Sequence, residues 1–233
     1  MDTVGIPRTS IASDTASARA QRLARLYPRP FMRSYAYWKT RTDPVYERIT
    51  QELHQAEAAP LLDLGCGAGL FPIYLRQSNY TGPIRGLDLS VRKIDLARRI
   101  SAQHHLGLEF VTGDFAHLDA SDHQGHVTLL DVLQFVEIQV QEHILRQTAA
   151  CLTEPGHRLI LRNALRDDSW RSRVTVGIDH FSHWIRWMPS SPSHHPDRVW
   201  LEQLLIECGL TPRFVPLWGA TPFNNFLVIA ARE

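Results

Sequence analysis

Leu61-Leu62-Asp63-Leu64-Gly65-Cys66-Gly67-Ala68-Gly69 is the stretch on which the reading of the chain turns. Three leucines and one acid make a short apolar run of strand length, and a glycine cluster follows it at once. From Leu70 the pattern becomes helical. Gly65 and Gly67 let the backbone turn tightly and let a ligand come into van der Waals contact with the main chain, while the start of the helix offers unpaired N–H groups. A polar ligand of nucleoside type fits such a turn.

Working outward, short apolar runs alternate with helical segments on the C-terminal side. Strands are expected at Leu61–Leu64, Ile84–Leu89, Leu108–Thr112, Val127–Leu133 and Arg158–Arg162, with helices at Gly69–Gln77, Val91–His105 behind the capping Ser90, and Val140–Leu152. Alternation of this length implies βαβ units, right-handed crossovers and a parallel sheet covered on both faces. The ending breaks the rhythm. Arg171–Met188 reads as a helix with three aromatics and several cations, and Val199–Cys208 as a helix closed by Gly209. Pro212–Trp218 and Phe226–Ala231 then read as two antiparallel strands. On the N-terminal side, residues 1–15 form a leader without apolar period, expected to be disordered. Helical pattern begins at Ala16, breaks at Tyr27-Pro28-Arg29-Pro30, and resumes after Asp43-Pro44 with Val45, Ile49 and Leu53 on one stripe. The expected architecture is α/β: a Rossmann-like three-layer sandwich with a seven-stranded, mostly parallel sheet and an antiparallel C-terminal hairpin. A helical cap at 16–57 precedes the main domain at 58–233, which carries a helical insertion at about 165–197.

The strand ends carry the chemistry. Asp88 ends the second strand nineteen residues beyond Gly69, where a carboxylate can accept two hydrogen bonds from a ribose diol. The third strand runs into Gly113-Asp114-Phe115, an acceptor for an amino group and a ring for a purine face. The fourth runs into Asp131-Val132-Leu133-Gln134-Phe135. In an open parallel sheet these carboxyl ends face one crevice, so Asp63, Asp88, Asp114 and Asp131 line one cleft. Two rival nucleotide motifs fail on the sequence. The dinucleotide pattern G-x-G-x-x-G has Leu70 where its last glycine belongs, and no G-x-x-x-x-G-K-[ST] loop occurs.

With these residues in place, the strand, DLGCGAG turn and helix, followed by LDLS, GDF, DVLQFV and LTEPGHRLIL, resemble the class I S-adenosylmethionine-dependent methyltransferases over about residues 58–164. The resemblance implies S-adenosyl-L-methionine as cofactor. It implies that Gly65, Cys66 and Gly67 approach the methionine part, that Asp63 anchors its amino end directly or through water, and that Asp88, with Leu89 beside it, holds the ribose. Asp114 and Phe115 would contact adenine. Asp131 would face the methionine amino group or the reacting substrate. Two positions depart from the family pattern, Gln134 where histidine is common and His157 where a second glycine is common, and both bear on the acceptor rather than the cofactor.

Methyl transfer from a sulfonium is an in-line displacement, so a protein chiefly aligns the acceptor and removes a proton where the acceptor is a hydroxyl or an acidic carbon. No NPPY-like or Pro-Cys motif for nucleic acid bases occurs, so DNA is not expected as partner. The segments left over would specify a small acceptor. Tyr37 and Trp38 in Arg33–Lys39 supply aromatic walls and Gln134 a polar edge. Asp179–Trp184 supplies His180 and His183 at i, i+3 as candidate bases, with Trp184 as a substrate contact. The alternative for this segment is packing aromatics with exposed histidines. Metal binding by the pair is disfavoured, because no carboxylate follows at zinc-protease spacing. RSYAYWK, LRDDSWR and WGATPFNN also resemble methyltransferases of bacterial aryl polyene and xanthomonadin-type pigment pathways. That likeness implies a phenolic or acyl acceptor, carrier-bound in some cases, an acyl carrier protein as partner, and a helix at 171–188 that docks the carrier or lies peripherally on a membrane.

Composition bounds the rest. The chain has 233 residues, 44% hydrophobic and 21% charged, with net charge +1, which provides one large core and no overall bias toward nucleic acid or acidic lipid. No apolar run spans a membrane and no secretion signal is read, so a soluble cytoplasmic protein is expected. Cys66, Cys151 and Cys208 lie far apart without a CxxC pair, which argues against disulfides and zinc. Eight basic residues against two acids between Met1 and Arg41 make a basic leader, either a solvated helix or an interaction arm. Two other functions stay open: an RNA or protein methyltransferase using that leader, or a cofactor-binding subunit without catalysis.

Overall fold

The computed structural model describes residues 15–166, 194–218 and 224–232. The chain divides into two compact units at Asp43–Pro44. The boundary therefore falls ahead of the third helix, whereas the sequence placed it at 57/58. The expected leader, apart from Thr15, and most of the expected insertion, including Arg171–Met188, lie outside the described residues.

The smaller unit holds two helices packed on one another, α1 (Ala16–Arg25) and α2 (Pro30–Thr42). The Thr15 hydroxyl accepts from the Ala18 N–H and starts α1. Pro30 opens α2, a position where its missing N–H costs nothing. Arg33 Nε donates to the Tyr27 carbonyl at 2.6 Å, and Lys39 pairs with Asp43 at 2.7 Å. The sequence reading gave no helix at 30–42, because α2 lacks an apolar stripe turned inward: Ala36 is its one buried residue, while Phe31, Tyr35 and Trp38 are exposed.

The larger unit begins with α3 (Val45–Gln55) and continues β1 (Leu61–Leu64), α4 (Leu70–Gln77), β2 (Ile84–Asp88), α5 (Val91–Gln103) and β3 (Glu109–Thr112). After it come β4 (His126–Leu130), α6 (Ile138–Ala150), β5 (Arg158–Ala164), α7 (Arg198–Glu207), β6 (Thr211–Pro216) and β7 (Asn225–Ala231). The sheet has seven strands in the order β3-β2-β1-β4-β5-β7-β6. Strands β1 to β5 run parallel, and β7 is antiparallel to both β5 and β6. This is the expected mixed sheet with its reversed C-terminal pair.

Because strand side chains alternate, each strand serves two faces. Leu62 and Leu64 of β1, Val127 and Leu129 of β4, and Leu159 and Leu161 of β5 join Ile144 and Leu145 of α6 and Leu201, Leu204 and Leu205 of α7 in one buried cluster. Burial of each such leucine contributes roughly 1.5–3 kcal/mol relative to exposure. Leu61, Asp63 and Thr128 have the opposite parity and face the other way. At the N-terminal edge of the sheet, His126 accepts from the Arg158 N–H at Nδ1 and donates from Nε2 to the Glu57 carbonyl, so it is a neutral ring fixed in one tautomer. Burial pushes its pKa down to about 4.

One boundary differs in a way that shapes the crevice. The apolar run from Val127 to Leu133 suggested a single strand, yet β4 stops at Leu130. Asp131 takes a left-handed conformation with φ of 61° and donates its N–H to the Arg162 carbonyl at 2.8 Å. Residues 133–135 then form a 3-10 turn with Leu133 buried. Apolarity there serves the core, and the backbone has already left the sheet.

Candidate active site

The order of strands reverses between β1 and β4, and the carboxyl ends of a parallel sheet open a crevice at such a point. On one side of it, the glycine turn is lashed to β2. Gly65 and Cys66 donate their N–H groups to the Leu87 carbonyl at 2.7 and 3.0 Å. Gly67 donates to Asp88 Oδ2 at 2.9 Å, and Ser90 donates to Oδ1 at 2.8 Å. Asp88 is thus a buried carboxylate held in one orientation, with lone pairs left for further donors. Gly65 and Gly67 both have positive φ, 72° and 57°. A Cβ at Gly65 would lie 2.6 Å from Val132 Cγ2, whereas one at Gly67 would meet nothing within 4 Å among the described residues. Gly67 therefore presents bare backbone to open space. The Cys66 thiol is buried against Gly86, and burial raises its pKa, which makes it a packing group rather than a nucleophile.

Asp63 sits beneath this turn at 2% exposure. Thr128 on the neighbouring β4 donates its hydroxyl to Oδ1 at 2.7 Å, as the register that opposes Asp63 and Thr128 requires. Burial pushes the carboxyl up to about 7; the Thr128 hydrogen bond opposes this and the charge of Asp88 adds to it. Among the described residues no cation pairs with it. A buried acid with no counter-ion, next to bare backbone and a second fixed carboxylate, fits a ligand that brings an ammonium group and a diol.

Farther along, Asp114 Oδ1 accepts from the Ala116 N–H at 2.9 Å and so caps the 3-10 turn Phe115–His117. The exposed His117 ring lies 3.5 Å from Oδ2. The Phe115 ring is buried in the α6–α7 cluster. Leu89, immediately after Asp88, is 59% exposed.

Across the switch point the geometry is different in kind. Asp131 forms an ion pair with Arg162 of β5. Gln134 accepts the His194 N–H on its carbonyl at 3.3 Å, and its side-chain Oε1 is buried without a hydrogen-bond partner among the described residues. Gln141, near the start of α6 and fully buried, directs Nε2 at three carbonyls: Leu133 at 2.9 Å, Val136 at 3.0 Å and His194 at 2.6 Å.

The structure thus brings Asp63, Gly65, Cys66, Gly67, Asp88, Leu89, Asp114, Phe115, Asp131 and Gln134 to one end of one sheet. Tyr37 and Trp38 lie on α2 in the other compact unit, their rings edge to face at 5.2 Å. His180, His183 and Trp184 lie outside the described residues. Thr128, Arg162 and Gln141 were not singled out from sequence, and Ser90 was read only as a helix cap. Thr128 alone had a visible signal, a polar residue within an apolar strand. Among the described residues no group of three His, Cys, Asp or Glu could hold a metal ion, and no helix is long and apolar enough to cross a membrane.

A sheet of this order with a reversed β7, and acidic strand ends gathered around a glycine turn, define the class I methyltransferase fold. Residues 61–156 match a family model described as a methyltransferase domain. The match covers less than half of the chain and shows a methyltransferase domain over that stretch. Solved structures place the whole fold in the same class. An O-methyltransferase family protein from Burkholderia thailandensis is 17% identical with a TM-score of 0.64, covering 95% of this chain and 64% of its own. Magnesium protoporphyrin IX methyltransferase from Synechocystis, with bound S-adenosylhomocysteine, is 19% identical with a TM-score of 0.65, covering 97% and 100%. An O-methyltransferase from neocarzinostatin biosynthesis, in complex with S-adenosylhomocysteine and 1,4-dihydroxy-2-naphthoic acid, is 19% identical with a TM-score of 0.61, covering 86% and 56%. The chain therefore spans less than two thirds of the first and third of these proteins and all of the second. No curated protein matches it by sequence.

Proposed function

We propose that this chain transfers the methyl group of S-adenosylmethionine to an oxygen, or an acidic carbon, of a small aromatic or acyl metabolite. The observation that carries the reading is the pairing of a counter-ion-free buried carboxylate, Asp63, with the fixed carboxylate of Asp88 on either side of the open backbone at Gly67. When bound, the donor supplies an electrophilic methyl group on a sulfonium. Asp63 takes the donor's ammonium, Asp88 its ribose hydroxyls, and Asp114 the adenine amino group, while the exposed Leu89 lies along the base. The buried Phe115 ring supports the turn that carries Asp114. A nucleoside fixed by β1 to β3 directs its reactive end across the switch point, so the acceptor meets it over Asp131 and Gln134. His180 or His183 serves as the base that removes the acceptor proton. Two structural relatives named as O-methyltransferases, one of them holding a dihydroxynaphthoic acid, support oxygen and an aromatic ring as the first acceptor chemistry to try.

Calorimetry with S-adenosylhomocysteine tests the donor half. The wild type binds, and Asp88→Ala binds on the order of 10- to 100-fold more weakly, the effect of one charge-assisted acceptor lost. Undiminished affinity removes Asp88 from the site. For the acceptor, methyl-labelled donor and a cell extract separated by size give label in the low-molecular-weight fraction. Label confined to RNA or protein overturns the small-molecule reading and leaves the donor site standing.

A further inference from the structure

On the β4 side of the crevice, one buried side chain ties three main-chain carbonyls together. Gln141 is fully buried, and its amide nitrogen reaches two carbonyls of the turn after β4, at Leu133 and Val136, and the carbonyl of His194. Two amide hydrogens are shared among three acceptors, and all three acceptors are main chain. The clamp therefore fixes backbone positions whatever side chains stand there. The His194 N–H closes the loop onto the Gln134 carbonyl. The Arg166 N–H donates to the Pro196 carbonyl at 2.8 Å, and the Arg198 N–H donates back to the Arg166 carbonyl at 3.1 Å, so Arg166 and the segment from His194 to Arg198 meet at this place. None of these bonds touches Asp63, Asp88 or Asp114.

We propose that Gln141 is a positioning residue for the acceptor: it fastens the chain at His194 to the turn carrying Gln134, and thereby sets where the acceptor stands relative to the methyl group. This rests on the reading above that the acceptor lies on the β4 side of the switch point. Gln141 touches no substrate and acts through Gln134 and His194. Displacement of a reactant by about an ångström can cost a factor of the order of a hundred in rate. An unfastened turn thus lowers transfer while leaving the donor bound as before.

The test uses the full-length chain, S-adenosylhomocysteine as donor probe, and the low-molecular-weight fraction of a cell extract as acceptor with labelled S-adenosylmethionine. Gln141→Met keeps length and burial and removes the donor. It is expected to bind S-adenosylhomocysteine within about twofold of wild type and to transfer label at least about tenfold more slowly at saturating S-adenosylmethionine. Amide exchange should accelerate at Val136 and His194 and stay unchanged at Gly67 and Ser90. Unchanged transfer in a folded variant overturns the proposal and leaves Gln141 a structural staple. A parallel loss of donor affinity overturns it as well, because the clamp then serves the whole crevice. If Gln141→Met does not fold, Gln141→Glu decides: its transfer, relative to wild type, should recover as pH falls and the carboxyl regains a hydrogen, and a flat ratio counts against the clamp. A wild type that binds donor and labels no small molecule fails the functional reading first, and this inference falls with it.

Discussion

The two sides of the switch point are built by different rules. On the β1–β3 side, Asp88 is fixed by Ser90 and by Gly67 of the glycine turn, Asp114 by Ala116 two residues on, and Asp63 by Thr128 of the adjoining β4. On the β4–β5 side, the fixing contacts are an ion pair between Asp131 and Arg162 and a clamp of three main-chain carbonyls, Leu133, Val136 and His194, by the Gln141 amide. A donor that is the same molecule in every turnover can be met by short, rigid motifs. Under the proposed reading, an acceptor that differs from one enzyme to another is met on the β4–β5 side by contacts assembled from the tertiary fold, which is where variation costs the common fold least.

The strongest way to break this comparison lies at the two glycines. Gly65→Ala drives a methyl group into Val132 at 2.6 Å and adds the strain of a positive φ, so it should destabilise the protein itself. Gly67→Ala meets no atom of the described residues within 4 Å and bears the backbone strain alone, about 1–2 kcal/mol. Its melting temperature should drop by no more than a few degrees, whereas its S-adenosylhomocysteine affinity should fall by a factor on the order of a hundred, since the added methyl occupies ligand space. If the ranking of the two in thermal melts is reversed, or if Gly67→Ala binds normally, the turn is structural and the donor side loses its distinguishing feature.

Asp63 separates stability from binding on the same side. Its carboxyl is pushed up to about 7 when folded, against an ordinary 3.8 when unfolded. Between those values the folded state holds a proton that the unfolded chain does not, so this group lowers stability as pH rises from about 4 to about 7, and has no further effect outside that window. Asp63→Asn keeps the acceptor for Thr128 and removes the buried charge. The ligand-free variant should melt higher than wild type at pH 8 and level with it at pH 4. Its donor affinity should be lower, and flat with pH where the wild type gains affinity up to about pH 7. Calorimetry and melting at four or five pH values check both halves. A variant less stable than wild type at pH 8 would mean that Asp63 already has a cationic partner in the protein.

Legibility from sequence divided along the same line. The strand, glycine turn and helix at 61–77, the acids at 88 and 114, and the reversed final pair were readable because each is a local pattern of period, turn chemistry and spacing. Gln141 was not, since nothing in Ile138–Ala150 distinguishes a buried glutamine from an exposed one until the fold brings His194 beside it. The end of β4 was misjudged for a related reason. Val132 and Leu133 are apolar because they fill the core, and periodicity alone does not separate a strand from a buried turn. Phe115 illustrates the same ambiguity, an aromatic read as a ligand wall that the fold turns into the α6–α7 cluster. Helix α2 escaped notice because its large apolar residues point outward.

The smallest expected effect is also the sharpest in specificity. Asp114→Asn preserves an oxygen for the Ala116 N–H, so the 3-10 turn and the melting temperature should persist. The amide nitrogen then replaces Oδ2 toward the crevice, a donor where the adenine amino group is also a donor. Because Asp114 is partly exposed and water can solvate the mismatch, affinity for S-adenosylhomocysteine should drop only about three- to tenfold. The 6-oxo analogue, S-inosylhomocysteine, reverses the pairing: its carbonyl faces a carboxylate in the wild type and an amide donor in the variant. The wild type should prefer the amino base and the variant should lose or invert that preference. An unaltered preference ratio would place the base away from Asp114, and since β3 lies at the edge of the sheet, the donor half would then end at β2.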